Sequence, residues 1–292
     1  MNKTLFKTET TQCLTQTNFV GPDWRLLAAL VGLLLLSGVG KLQAQENVPN
    51  STVPGSSAFL YLPVLTGDPL PICPPSSTRS YDLIPVDGPA ADHPDALHGD
   101  LNLALRGYTP VSETLGIVDI NGPTDGDAPQ LAGIFSDART PAFSSAHRVY
   151  AWDWGCGAHG CPSANLTPGA VSLLGLAGSR NETVASPGRG PEIYGGGYKV
   201  LVLYAAADRI TLGYTRHDSV APGYAVHLES VCVDPNLLVL YEQANADGRT
   251  HLPALRDGEV LGTLQTEEML VAVRDRGTFM DPRSRKDWWK GR

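Results

Sequence analysis

The chain has 292 residues, a formal net charge of −8, 42% hydrophobic residues and five cysteines. That acidity works against a nucleic-acid partner, because binding to a phosphate backbone is driven largely by lysines and arginines that release counterions. Abundant glycine (31) and proline (23), with little helical periodicity, point to a mainly β chain long enough for one well-filled core.

The first element is the uncharged run LLAALVGLLLLSGVG, which falls between Arg25 and Lys41. It is shorter than the roughly 20 apolar residues that span a bilayer and fits the core of a signal peptide. Lys3, Lys7 and Arg25 precede it, and LQAQ offers a cleavage point after Ala44. Residues 1–44 are therefore expected to be a signal peptide or, uncleaved, an N-terminal anchor and the only contact with a membrane. Either way the remainder is expected to be secreted or at the cell surface, outside the cytoplasmic membrane. Residues 45–79 are rich in proline, serine and threonine and read as a linker, with one apolar island, AFLYLPVL. Residues 80–292 form the folded domain, ending in the basic tail RSRKDWWKGR, which is either a solvated end or an attachment to an anionic envelope polymer.

Cys13 precedes the leader core, so the exported part holds Cys73, Cys156, Cys161 and Cys232, an even number in an oxidising compartment. The favoured pairing joins Cys156 to Cys161, closing the loop CGAHGC, and Cys73 to Cys232, stapling the linker to a strand. A zinc reading of Cys156, His159 and Cys161 lacks a clear fourth ligand and competes with disulfide formation.

Strand character marks LGIVDI (115–120), HRVYAWDW (147–154), YKVLVLYA (198–205), RITLGYT (209–215), YAVHLESVCV (224–233), EVLGTL (259–264) and MLVAVRD (269–275). The third and fourth are close enough to form a hairpin. One helix is expected in DPNLLVLYEQANADGR: Asp234 caps it, Pro235 suits its first position, Gly248 ends it, and its broad apolar stripe lays it on a sheet surface. In VYAWDWG the rings of Tyr150, Trp152 and Trp154 alternate and would share one side of a strand. Such a row either stacks on sugar rings or, more commonly, forms the core face of a sheet. Trp288 and Trp289 are adjacent, so only one is expected to be well buried. His93, His147, His217 and His251 lack ligand-like neighbours and read as surface or hydrogen-bonded histidines.

The stretch HGDLNLALRGYTPV places Asn102 four residues after His98, then runs Gly107, Tyr108, Thr109, Pro110, Val111, and later Gly116, Ile117, Val118. ITLGYTRHDSVAPGY adds Tyr214, Arg216, Val220 and Gly223; Gly258 to Gly262 forms a turn, and MLVAVRDRGTFMDPR ends in Asp281 and Pro282. Together these segments resemble the lysostaphin-type zinc metallopeptidases, the LytM-like peptidoglycan endopeptidases. That family opens with His-x-x-x-Asp running into Gly-Thr-Pro-Val and Gly-x-Val, continues through Tyr-x-His-Leu, and closes with His-x-His and an Asp-Pro ending. The resemblance covers about 98–282 and departs at the chemistry. Asn102 replaces the aspartate, Arg216 a histidine, and Met269 and Val271 the last two histidines, so only His98 remains of the expected ligands. A catalytic zinc site needs three good ligands and an open position for water.

The resemblance implies a lysostaphin-like open antiparallel β-barrel or sandwich with one surface α-helix and insertions at about 119–197 and 230–253. The expected function is non-catalytic: an exported or cell-surface protein that binds a cell-envelope glycan, peptide or surface protein and holds no cofactor. Candidate binding residues are His98, Asn102, Arg216, His227, Glu229, Tyr150, Trp152 and Trp154. His227 and Glu229 lie two apart on one strand face, where a histidine commonly pairs with the neighbouring carboxylate. The alternatives are an active zinc endopeptidase with relocated ligands His98, Asp100 and His227, and a subunit of a surface layer or filament.

Overall fold

A computed structural model describes residues 73–188 and 190–292. The leader, Cys13, the apolar island and most of the linker lie outside the described residues. Fourteen strands are present among those described: β1 (Asp82–Pro85), β2 (Tyr108–Pro110), β3 (Phe143–Asp153), β4 (Cys161–Leu166), β5 (Leu173–Ala177), β6 (Thr183–Ala185), β7 (Tyr198–Ala206), β8 (Arg209–Gly213), β9 (Tyr224–Glu229), β10 (Val231–Val233), β11 (His251–Arg256), β12 (Val260–Leu264), β13 (Glu268–Asp275) and β14 (Thr278–Met280). The fold is mainly β and its pairings are antiparallel.

The large sheet runs in the order β1, β11, β7, β8, β9, β13, β5, β3, β2, with β14 added to β13 and β4 to β3; β10, β12 and β6 form a second sheet. Its path is open, with no closed barrel. β9 and β13 lie at the centre of the large sheet and are buried on both faces, so they read as continuous apolar runs rather than alternating ones. Helix α1 (Pro235–Ala246) covers β7 and β11 and turns Leu237, Tyr241 and Ala244 inward. Its start follows local chemistry: the Asp234 carboxylate accepts from the Asn236 N–H at 3.0 Å, and Pro235 occupies the first turn.

Of the three possible pairings the favoured one forms, Cys73 with Cys232 and Cys156 with Cys161. The segment between Cys73 and Arg79 is held down by more than its bridge. The Ser77 hydroxyl donates to Asp234 at 2.6 Å, and Asn236 Nδ2 donates to the Arg79 carbonyl at 2.7 Å.

Several elements differ from the sequence reading. Residues 115–120 form no strand; Val118 makes one isolated bridge to Ser284 and the flanking side chains are largely exposed. The run 224–233 is two strands, because Ser230 at φ 63° breaks it and sends β9 and β10 into different sheets. A second helix, α2 (Arg285–Trp288), joins the expected one. Trp288 and Trp289 are both buried, at 1% and 0% exposure, because each indole N–H reaches a backbone carbonyl, of Asp281 and Pro282 respectively, at 2.9 Å. The β13–β14 hairpin was hidden in the sequence. Its two-residue loop, Arg276–Gly277, has φ of 45° and 78°, which suits the strand twist and needs a glycine at the second position.

Candidate functional site

Two turns bring the first motif to the end of β3. A short 3-10 turn, Asp95–Leu97, precedes His98, and another, Leu103–Arg106, follows Asn102. Residues 98–102 therefore form a turn, and His98 and Asn102 are buried at 9% and 6% exposure. The Asp100 N–H donates to His98 Nδ1 at 3.2 Å, which leaves the ring's proton on Nε2, facing Asp92 Oδ1 at 3.4 Å. Asn102 Nδ2 donates to the Ala96 carbonyl at 3.0 Å.

The aromatic row departs from the core-face reading. β3 ends at Asp153, its register shifts between Tyr150 and Trp152, and neither Tyr150, Trp152 nor Trp154 belongs to a core cluster. Trp152 is half-buried between two loops. A Cβ on Gly99 would lie 2.4 Å from its ring, and one on Gly160 would lie 2.2 Å from its Nε1, so both loops approach it only through glycine. Trp154 is 42% exposed. The His93 ring stacks on it at 5.1 Å, and the His98 ring meets it edge-on at 4.9 Å. The Cys156–Cys161 bridge closes the loop that carries His159, whose ring meets His93 at 5.5 Å. His93 and His159 thus belong to this site although no spacing in the sequence marked His93. Its only local signal was the His-Pro step ahead of the turn, which says nothing of a tryptophan some sixty residues away.

Beneath this rim lies a charged layer. Asp100 accepts from Arg274 Nη1 at 2.8 Å and forms a close ion pair with Arg106. Arg106 Nε donates to the Gly99 carbonyl at 2.6 Å and Arg274 Nε to the Gly277 carbonyl at 2.9 Å, so both guanidinium groups are fixed. Burial pushes the Asp100 carboxyl up, but the charges of Arg274 and Arg106 outweigh it and hold the group below the usual carboxylate range. Burial and the neighbouring Arg274 charge bring Arg106 down to about 10.

His227 lies on β9, fully buried, with its ring stacked on Phe279 at 6.2 Å. The Thr211 hydroxyl donates to the Leu101 carbonyl at 2.6 Å, so its oxygen accepts from His227 Nδ1 at 2.9 Å and the lone pair falls on Nε2. Nε2 finds no hydrogen-bond partner among the described residues. Burial, reinforced by the Arg274 and Arg106 charges, lowers the His227 pKa well below its ordinary value, so the ring is neutral. The expected His227–Glu229 pair does not form. Glu229 instead faces Arg209, with Oε2 3.1 Å from Nε, and burial raises its carboxyl to about 7. Arg216 is likewise engaged elsewhere, paired with Asp87 and lying over the Tyr194 ring.

The fallback zinc set His98, Asp100 and His227 therefore meets three obstacles. The His98 lone pair is taken by a backbone N–H, Asp100 is held by two guanidinium groups, and His227 sits in their positive field, which repels a divalent cation. Among the described residues no group of three or more His, Cys, Asp or Glu side chains is spaced to hold a metal ion. Cys156 and Cys161 are consumed by their disulfide. A cleft of about 1020 Å³ lies between residues 113–125 and 275–288, with Tyr224, Phe279 and Trp288 in its lining. Comparison of the chain with family models, curated proteins and solved structures finds no match.

Proposed function

We propose that this chain is an exported, non-catalytic binding protein that uses the Trp154 rim to hold a cell-envelope glycan, on a scaffold descended from a lysostaphin-like endopeptidase. The observation that carries the reading is the exposed indole of Trp154, braced by His93 and His98 beside the exposed carboxylate of Asp92. A rigid aromatic face flanked by polar groups stacks on the apolar face of a pyranose while the polar groups meet its hydroxyls. Support for the ancestry is the ion pair between Asp100 in the first motif and Arg274 on β13, since a hydrolase on this plan would gather its ligands from those two places. The two disulfides fit an extracellular setting, and no described helix is long and apolar enough to cross a membrane.

Calorimetric titration with soluble fragments of cell-wall glycan is the test. The parent chain is expected to bind them without cleaving them, and Trp154→Ala to weaken binding at least about tenfold. Equal binding by the variant, or stoichiometric zinc together with glycan-strand or cross-link cleavage, would overturn the proposal.

A further inference from the structure

The charge beside Trp154 is unbalanced, and this narrows the ligand. The Asp92 side chain is 80% exposed; its oxygens lie 3.4 Å from His98 Nε2 and 3.9 Å from His93 Nε2, and no lysine or arginine among the described residues pairs with it. His98 meets Asp92 with its Nε2–H, because its Nδ1 accepts from the Asp100 N–H. Arg106 and Arg274 are spent on Asp100, and Arg249 on Asp218. The exposed rim therefore combines a carboxylate that no lysine or arginine among the described residues pairs with and an indole whose one face is already covered by His93, on a chain that is itself acidic.

An aromatic face and a nearby carboxylate are the two elements that hold a small cation: the ring quadrupole attracts it and the carboxylate neutralises it. Resting on the reading of Trp154 as a binding surface, we infer that the rim selects a ligand bearing a protonated primary amine, with the ammonium drawn to Asp92 beside the exposed part of the Trp154 indole. An N-acetylated sugar would still stack on the indole but would leave Asp92 without a counter-charge. Two sources share this chemistry, an amino sugar with its amine free and the side-chain amine of a wall peptide.

The experiment titrates the full chain with a glucosamine tetramer, an N-acetylglucosamine tetramer and a short lysine peptide, and repeats each with Asp92→Asn and Trp154→Ala. Both positions are exposed, so circular dichroism and melting should match the parent. The free-amine ligand, sugar or peptide, is expected to bind about tenfold tighter than the acetylated tetramer. Asp92→Asn should erase that preference, and Trp154→Ala should remove binding of both. A preference for the lysine peptide alone, dependent on Asp92, supports the inference and assigns the amine to peptide. Equal binding of both tetramers, unaffected by Asp92→Asn but lost in Trp154→Ala, overturns the amine inference and leaves the glycan reading standing. Binding that ignores Trp154→Ala removes both.

Discussion

Asp100→Asn is the perturbation that most directly examines the charged layer. Among the described residues Asp100 is the one carboxylate touching Arg106 and Arg274, whose side chains are 5% and 6% exposed. Asparagine keeps the shape and can accept one of the two guanidinium hydrogen bonds, but it leaves two buried positive charges with no negative partner. Removing one member of a buried ionic cluster costs about 3–5 kcal/mol, and the retained acceptor places this case near 3 kcal/mol. With a urea m-value of about 2–3 kcal/mol/M, the midpoint should fall by about 1 M with an unchanged slope. Asp92→Asn, at an exposed carboxylate, serves as the control and should shift the midpoint negligibly. A change below about 1 kcal/mol for Asp100→Asn would refute the assignment of Asp100 as the charge that balances both arginines. So would a zinc-dependent rise in the parent's melting temperature that disappears in the variant, because Asp100 would then be acting as a metal ligand.

Four further outcomes follow from the same structure. The His227 pKa in the folded chain is far below the ordinary 6.5, so the unfolded chain takes up the proton first; stability is full above about pH 6.5 and is lost below it, at up to about 1.4 kcal/mol per pH unit, and His227→Gln should flatten that limb. Glu229 behaves oppositely: its carboxyl is raised from 4.5 to about 7, so its contribution is full below pH 4.5 and is lost as pH rises to about 7, and Glu229→Gln should gain stability at pH 8, read by urea titration across pH. The Cys73–Cys232 bridge spans 159 residues and the Cys156–Cys161 bridge five, so replacing each pair by serine should cost about 5 and about 2 kcal/mol in chemical denaturation. Gly99→Ala should drive a methyl into the Trp152 ring, lowering stability by about 1–3 kcal/mol and displacing the rim, visible as a changed tryptophan emission spectrum.

Much of this was legible in the chain. The β7–β8 hairpin, the capped helix α1 and the Cys156–Cys161 loop follow from signals within a few residues, and such local chemistry acts whatever surrounds it, whereas the even cysteine count left three pairings open. Strands that break the compositional rules were harder to see. β11 contains Pro253 and β5 contains Gly175, residues that weaken a strand reading, yet both strands are paired on each side. Residues 115–120 erred the other way: their β-branched composition meets no neighbouring strand beyond a single bridge, so propensity finds nothing to pair with.

The site divides along the same line. The residues Asn102, Arg216, Met269 and Val271 and the presence of Trp154 in a glycine-rich loop are properties of the sequence by itself, as are the acidic balance and the cysteine pattern. What only the tertiary structure decided is who meets whom. His227 turned from Glu229 to Thr211, because a ring nitrogen bonds the partner that strand pairing sets opposite it. Asp100 met Arg274 on a strand far along the chain, and His93 came to lie on Trp154, because loop closure and sheet register fix distances that residue order leaves free.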